Sequence, residues 1–111
     1  MLHIEYDGSV KLTRGDTARF SVGITNEADG SAYEMQSGDT LTLTIKKNSN
    51  DAEPLVQKVL TGAATFHIEP KDTAKLAFGK YKYDVQLNTA SGDVYTVIEP
   101  TTFEILQEVT W

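Results

Sequence analysis

The chain has 111 residues, of which 10 are basic and 16 acidic, so its formal charge at pH 7 is −6. This acidity opposes binding to phosphate backbones and anionic lipids, which excludes nucleic acid and membrane surfaces as expected partners. The absence of cysteine excludes a disulfide framework and a thiolate metal site. The length and a hydrophobic content of 40% predict a single domain over residues 1–111, in which residues 1–8 form a tail or an edge strand.

Alternation of apolar and polar residues predicts three strands in the first half of the chain, at residues 9–14, 17–25 and 39–47. The segment between the second and third of these strands, residues 26–38, is rich in Asn, Asp, Gly and Ser. This composition predicts a long loop, with a small edge strand around Tyr33.

The middle of the chain is less regular. Residues 55–60 carry apolar side chains on both phases, so the register of this predicted strand stays open, while Lys58 favours a place near a sheet edge. Alternation resumes at residues 64–68. Residues 71–78 are the one plausible helical segment, of one or two turns, since Pro70 suits a first helical position.

The last third of the chain predicts an antiparallel hairpin. Four apolar side chains fall on one face of its first strand: Tyr81, Tyr83, Val85 and Leu87. A turn of sequence NTASGD and a β-branched run follow, as in a hairpin with one buried face. The second strand is expected to be interrupted at Glu99-Pro100, because proline cannot donate to a ladder and marks an edge or a bulge.

Seven or eight short strands with little helix predict an all-β fold, an immunoglobulin-like antiparallel β-sandwich without a disulfide. The run from Gly79 to Tyr83 resembles the start of strand F in immunoglobulin domains. The resemblance makes Tyr81 the tyrosine of the tyrosine corner and places Tyr83 where a disulfide cysteine normally lies.

No constellation of residues predicts a reaction, so we expect neither an enzyme nor a metal or other cofactor. The aspartates lie singly at separate turns rather than in a calcium-binding cluster, and His3 and His67 lack the spacing of a zinc site. The tripeptide Arg14-Gly15-Asp16 is one that some integrins recognise on exposed loops. Glycine and aspartate are also ordinary turn residues between strands, which is the interpretation we prefer.

Aromatic residues give the binding hypothesis. The inward phases do not clearly require Tyr6, Tyr33, Tyr95 or Trp111. Of these, Tyr33, Tyr95 and Trp111 are the candidate contacts to a protein partner or a glycan. A second interpretation fits equally well. In it, Tyr95 belongs to the inward set with Val97, while Tyr6 and Trp111 cover the ends of the sandwich.

Several segments share their order and spacing with one group of proteins. They are RGDT at 14–17, SGDTLTLTIKK at 37–47, GKYKYDVQL at 79–87, GDVYTV at 92–97 and TFEILQEVT at 102–110. Together they resemble small immunoglobulin-like proteins encoded among the tail and baseplate genes of phages and prophages of Gram-positive bacteria. The similarity covers residues 13–110.

This resemblance implies a non-enzymatic structural or accessory protein, similar to the N-terminal module of upper baseplate proteins. It implies a place in the virion, or in the host cytoplasm during assembly, and no secretion signal is seen at the N-terminus. The expected partners are tail or baseplate proteins, or a second copy in a homo-oligomer, contacted through sheet edges and the loop at 26–38. The alternative is a carbohydrate-binding or cell-surface adhesion module that uses exposed aromatic residues. Because no receptor-binding region follows Trp111, we expect a stand-alone accessory protein.

Overall fold

The computed structural model describes residues 3–4, 8–25 and 30–108, and the side chains from residue 8 onward. Its elements are β1 (His3–Ile4), β2 (Val10–Thr13), β3 (Ala18–Ser21), β4 (Thr40–Lys46), β5 (Val56–Thr61), β6 (Thr65–Ile68), α1 (Pro70–Thr73), β7 (Gly79–Asn88) and β8 (Val94–Leu106). The expected all-β character is therefore confirmed. Part of the predicted loop, at residues 26–29, lies outside the described residues, and the predicted edge strand near Tyr33 is a single bridge between Thr25 and Ala32.

Two sheets form the sandwich. The larger sheet has the strand order β1-β2-β8-β7-β4-β5, and the smaller one pairs β3 with β6. Strands β2 and β8 run parallel, with Val10 opposite Phe103, so the expectation of a wholly antiparallel sandwich is wrong at this pair. A period of two is common to both kinds of ladder, and β2 reaches β8 through the whole fold rather than through a hairpin.

The core lies between the two sheets and is built from the alternating apolar residues. Tyr83 on β7 is its largest fully buried side chain. The Tyr83 ring packs edge to face against the Phe20 ring of the smaller sheet, with 6.1 Å between the ring centroids. It packs in the same way against the Phe103 ring of β8, with 5.6 Å between the centroids. Such pairs stabilise a fold by about 0.5–1.5 kcal/mol each beyond the area that they bury. The Phe20–Tyr83 contact thus ties the two layers together in a chain that has no disulfide.

The predicted tyrosine corner is present. The Tyr81 hydroxyl donates a hydrogen bond to the Ala77 carbonyl at 2.7 Å, a few residues upstream, as in a tyrosine corner. The helix before it has only one turn, shorter than the predicted span of 71–78. It ends at Thr73, and beyond it the Leu76 carbonyl accepts a hydrogen bond from Arg14 and the Ala77 carbonyl accepts one from Tyr81.

The open register of the fifth strand is resolved by its pairing with β4. Val56 lies opposite Ile45 and Leu60 opposite Leu41, so these two residues face inward, whereas Val59 faces solvent. Lys58 lies on the edge strand of the sheet, as expected, and its side chain is on the inward phase. Its ammonium group lies 2.8 Å from the Asp72 carboxylate. A charged residue in this position hinders edge-to-edge pairing.

The last strand runs on through Glu99-Pro100, and the irregularity predicted there is a β-bulge rather than a break. The ladder between β7 and β8 instead shifts register, with Tyr83 opposite Thr101 and Val85 opposite Ile98. The proline therefore sits in the bulge that the sequence allowed as an alternative, where no ladder hydrogen bond is required of it.

Candidate functional site

An open groove of about 840 Å³ lies where the smaller sheet stops covering the larger one. One wall is formed by residues 23–25 and by the loop residues Tyr33, Gln36 and Asp39. The other wall is the tip of the β7–β8 hairpin, from Leu87 to Val97. The groove thus brings together two of the three aromatic residues that the sequence suggested as contacts.

Tyr95 is exposed because of its position along the hairpin and not because of its phase. It pairs with Leu87, so both side chains lie on the inner face of the larger sheet. Leu87 is 3% exposed, but Tyr95 is 55% exposed, since the second layer does not reach it. Tyr95 is therefore in phase with the core, as the second interpretation expects, and its ring is exposed; its contact to a partner or a glycan stays a prediction.

Tyr33 is half-buried, packs against the core, and is held in place by Asp39. Its hydroxyl donates a hydrogen bond to the Asp39 carboxylate, and its backbone N–H donates to the Ile24 carbonyl at 2.8 Å. Tyr33 thus lines the groove with its hydroxyl proton already donated within the protein.

Asp39 links the two walls. Its carboxylate also accepts hydrogen bonds from the backbone N–H of Gln36 at 2.9 Å and of Ala90 at 3.0 Å. Its backbone carbonyl accepts a further bond from Gly62 at 2.9 Å. Asp39 is only 1% exposed, so the bonds from Tyr33, Gln36 and Ala90 replace water that its buried carboxylate has lost.

The hairpin tip is fixed by its own hydrogen bonds. The Thr89 N–H donates a hydrogen bond to the Asp93 carbonyl at 2.8 Å, and the Asp93 N–H donates one to the Thr89 hydroxyl at 3.0 Å. The Ser91 hydroxyl donates to the Asp93 carboxylate at 3.3 Å. Hydrogen bonds within the protein hold the described residues of both walls, and such bonds reduce the conformational entropy that is lost when something binds between them.

The groove is electrostatically negative. The hydrogen bond from Tyr33, followed by those from the backbone of Gln36 and Ala90, holds the pKa of Asp39 below its usual value, so this side chain is ionised at neutral pH. The same hydrogen bond raises the pKa of Tyr33, which keeps its hydroxyl protonated. Asp93 adds a second carboxylate, which is exposed.

The sequence indicated the aromatic residues of this site but missed the two acids. Asp39 and Asp93 belong to its set of single turn aspartates, and the Asp39–Ala90 contact joins residues 51 positions apart, which no spacing rule reveals. The third aromatic candidate, Trp111, lies outside the described residues.

The Arg14-Gly15-Asp16 tripeptide forms a half-buried turn rather than an exposed recognition loop. The Arg14 guanidinium makes two bonds to the Glu108 carboxylate, at 2.7 and 3.1 Å, and lies 4.3 Å from the centre of the Phe78 ring. The Gly15 N–H donates to the Thr73 hydroxyl at 3.0 Å. These contacts favour the structural interpretation of the tripeptide.

A second, smaller depression of about 340 Å³ lies on the outer face of the larger sheet, beside the β-bulge. Asp84 lines it together with Lys46 and Lys82. Burial raises the pKa of Asp84, and the nearby charge of Lys46 only partly opposes this effect. The depression has lining side chains of both charges and no exposed aromatic ring among its described lining residues, so it is a poorer binding site than the groove.

Within residues 8–25 and 30–108, no three His, Asp or Glu side chains are grouped as a metal site would need. In this same part of the chain, no helix has the length and apolar character that crossing a membrane requires. Comparison of the sequence with protein-family models and with curated proteins finds no match to either.

Proposed function

We propose that this chain is a non-enzymatic protein-interaction module, a phage- or prophage-encoded structural or accessory protein that associates with tail or baseplate components. The observation that carries the proposal is the preformed groove between Tyr33 and the β7–β8 hairpin. It exposes the Tyr95 ring beside apolar side chains, as protein-binding surfaces commonly do. The resemblance of residues 13–110 to tail and baseplate proteins supplies the class of partner.

Loops, more than sheet edges, are the expected contact surface. At the β5 edge of the larger sheet, Lys58 occupies an inward phase and is paired with Asp72. Such an edge is a poor template for an added strand. In the groove, the large apolar side chain that is exposed among the described lining residues, Tyr95, is aromatic and uncharged.

The proposal is tested first by the genes that flank the coding sequence, which should encode tail, baseplate or lysis proteins. Each flanking tail or baseplate protein is then co-expressed with the tagged chain, and the identified partner should co-purify. The Tyr95→Ala variant should lose this partner, whereas Val59→Ala should keep it, because Val59 is a similarly exposed residue on the outer face of the larger sheet. Co-purification with none of these proteins would contradict the proposal, and size-exclusion chromatography would show whether a second copy is the partner instead.

A second candidate, a carbohydrate-binding module, is favoured by one observation. The exposed Tyr95 ring lies in a groove whose rim carries hydroxyl and carboxylate groups, and sugars stack on such rings while bonding such rims. Glycan-array binding that disappears in both Tyr33→Ala and Tyr95→Ala would favour this candidate. Unchanged binding in both variants would place any glycan elsewhere.

A further inference from the structure

The charge of the groove indicates what kind of partner side chain it can accept. Among residues 8–25 and 30–108, the charged residues that line it are Asp39 and Asp93, and no lysine or arginine of these ranges does so. The chain as a whole carries an excess of six acidic residues, so no distant positive surplus compensates for these two carboxylates. An anionic ligand would be repelled from the groove, and a cation would be attracted to it.

The two carboxylates differ in what they can still bind. Asp39 is buried and already accepts three hydrogen bonds, from Tyr33, Gln36 and Ala90. Asp93 is exposed and accepts the hydroxyl of Ser91 at 3.3 Å, which leaves its other carboxylate oxygen able to take a further donor. Asp93 is therefore the group that can pair with an incoming cation, while the Asp39 charge adds to the field.

The apolar part of the groove suits the stem of a long cationic side chain. Tyr95, Leu87 and Val97 all line the groove from the hairpin side. Lysine and arginine bury their methylene groups on such surfaces and keep the charged end in water. An aromatic face also attracts the cation, and a planar guanidinium can stack on it as an ammonium group cannot.

We propose that the groove receives an arginine side chain from an exposed basic segment of the partner, with the guanidinium stacked on Tyr95 and paired with Asp93. This inference rests on the proposed function, since it names the chemistry that the partner must present. Charge complementarity selects arginine over a neutral or acidic contact, and the aromatic ring selects it over lysine.

The test uses nuclear magnetic resonance of the isotope-labelled full chain, titrated with a capped Gly-Arg-Gly peptide. The same peptide with citrulline in place of arginine is the matched neutral probe. We expect the arginine peptide to shift the backbone signals of residues 89–97, and the citrulline peptide to shift them much less. Asp93→Asn and Tyr95→Leu should each weaken binding by about two- to fivefold, as expected for an exposed ion pair or cation–aromatic contact.

Two controls isolate the effect. Glu99→Gln removes the same charge from an exposed residue that does not line the groove, and should leave the affinity unchanged. Raising the salt concentration should weaken binding of the arginine peptide to the wild type, because exposed charges are screened.

Equal shifts with the arginine and citrulline peptides, or no shift in residues 89–97 with either, would overturn the inference. So would an affinity that Asp93→Asn leaves unchanged. These failures are distinct from failure of the proposed function. If Tyr95→Ala still abolishes co-purification with an identified tail or baseplate protein, the module function stands and only the arginine contact is wrong.

Discussion

The hydrogen bond of the tyrosine corner gives the sharpest test of how the fold is stabilised. In Tyr81→Phe the buried ring stays, and with it the contact to the Lys47 ammonium group 4.7 Å from the ring centre. The one loss is the 2.7 Å bond to the Ala77 carbonyl. Because Ala77 is exposed, water can hydrate the freed carbonyl, so the variant avoids the larger cost of a buried unpaired group.

The expected loss is therefore that of one net hydrogen bond, about 1 kcal/mol. For a chain of 111 residues, an unfolding entropy of about 2.1 cal/mol/K per residue converts this into a decrease in Tm of roughly 4 °C. Urea unfolding followed by circular dichroism measures the free energy directly. The matched control is Tyr95→Phe, which removes an exposed hydroxyl and should change the free energy by less than about 0.5 kcal/mol. Equal stability of Tyr81→Phe and the wild type would show that the bond to the Ala77 carbonyl does not stabilise the fold.

Three further predictions concern charge and the groove walls. Burial raises the pKa of Asp84, so its ionised form opposes folding at neutral pH. Asp84→Asn should therefore raise Tm at pH 7, and this gain in Tm should vanish below the ordinary aspartate pKa. A gain that persists at acid pH would contradict this cause. The ionised Asp39 carboxylate has the opposite effect on stability, because hydrogen bonds lower its pKa. Its contribution to the free energy of unfolding is present above the ordinary aspartate pKa and is lost as the pH falls through the lowered pKa. Asp39→Asn should therefore lower Tm at pH 7 and much less in acid, and a pH-independent difference would argue against the carboxylate. Finally, Gly38→Ala should lower Tm more than Gly92→Ala does. Both glycines have positive φ, but only at Gly38 would the new methyl group meet a neighbour, the Ala90 side chain at 3.0 Å. Equal decreases in Tm would show that the two walls are not in close contact.

The strands and their buried faces could be predicted from the sequence because a period of two is a local property. Leu41, Leu43 and Ile45 are buried as their alternation indicates, and the Gly79–Tyr83 pattern correctly indicated the tyrosine corner. Pairing partners could not be predicted in the same way. The parallel contact between β2 and β8 depends on the path of the whole chain, and the same alternation suits either direction.

The candidate site was predictable only in part. Tyr33 and Tyr95 could be named because the inward phases did not clearly require them, but their meeting in one groove depends on where the smaller sheet ends. That end is a property of two strands from distant parts of the chain. Asp39 looked like any turn aspartate, because its role comes from the Tyr33 hydroxyl and from the Ala90 backbone across the groove.

We propose that the groove between Tyr33 and the hairpin tip is the surface that contacts a protein partner. Its most direct test is a nuclear magnetic resonance titration of the labelled chain with the tail or baseplate protein that co-purifies with it. We expect the signals that shift or broaden to belong to Tyr33, Asp39 and residues 89–97. Changes confined to Thr42, Gln57 and Gln86, on the outer face of the larger sheet, would contradict it.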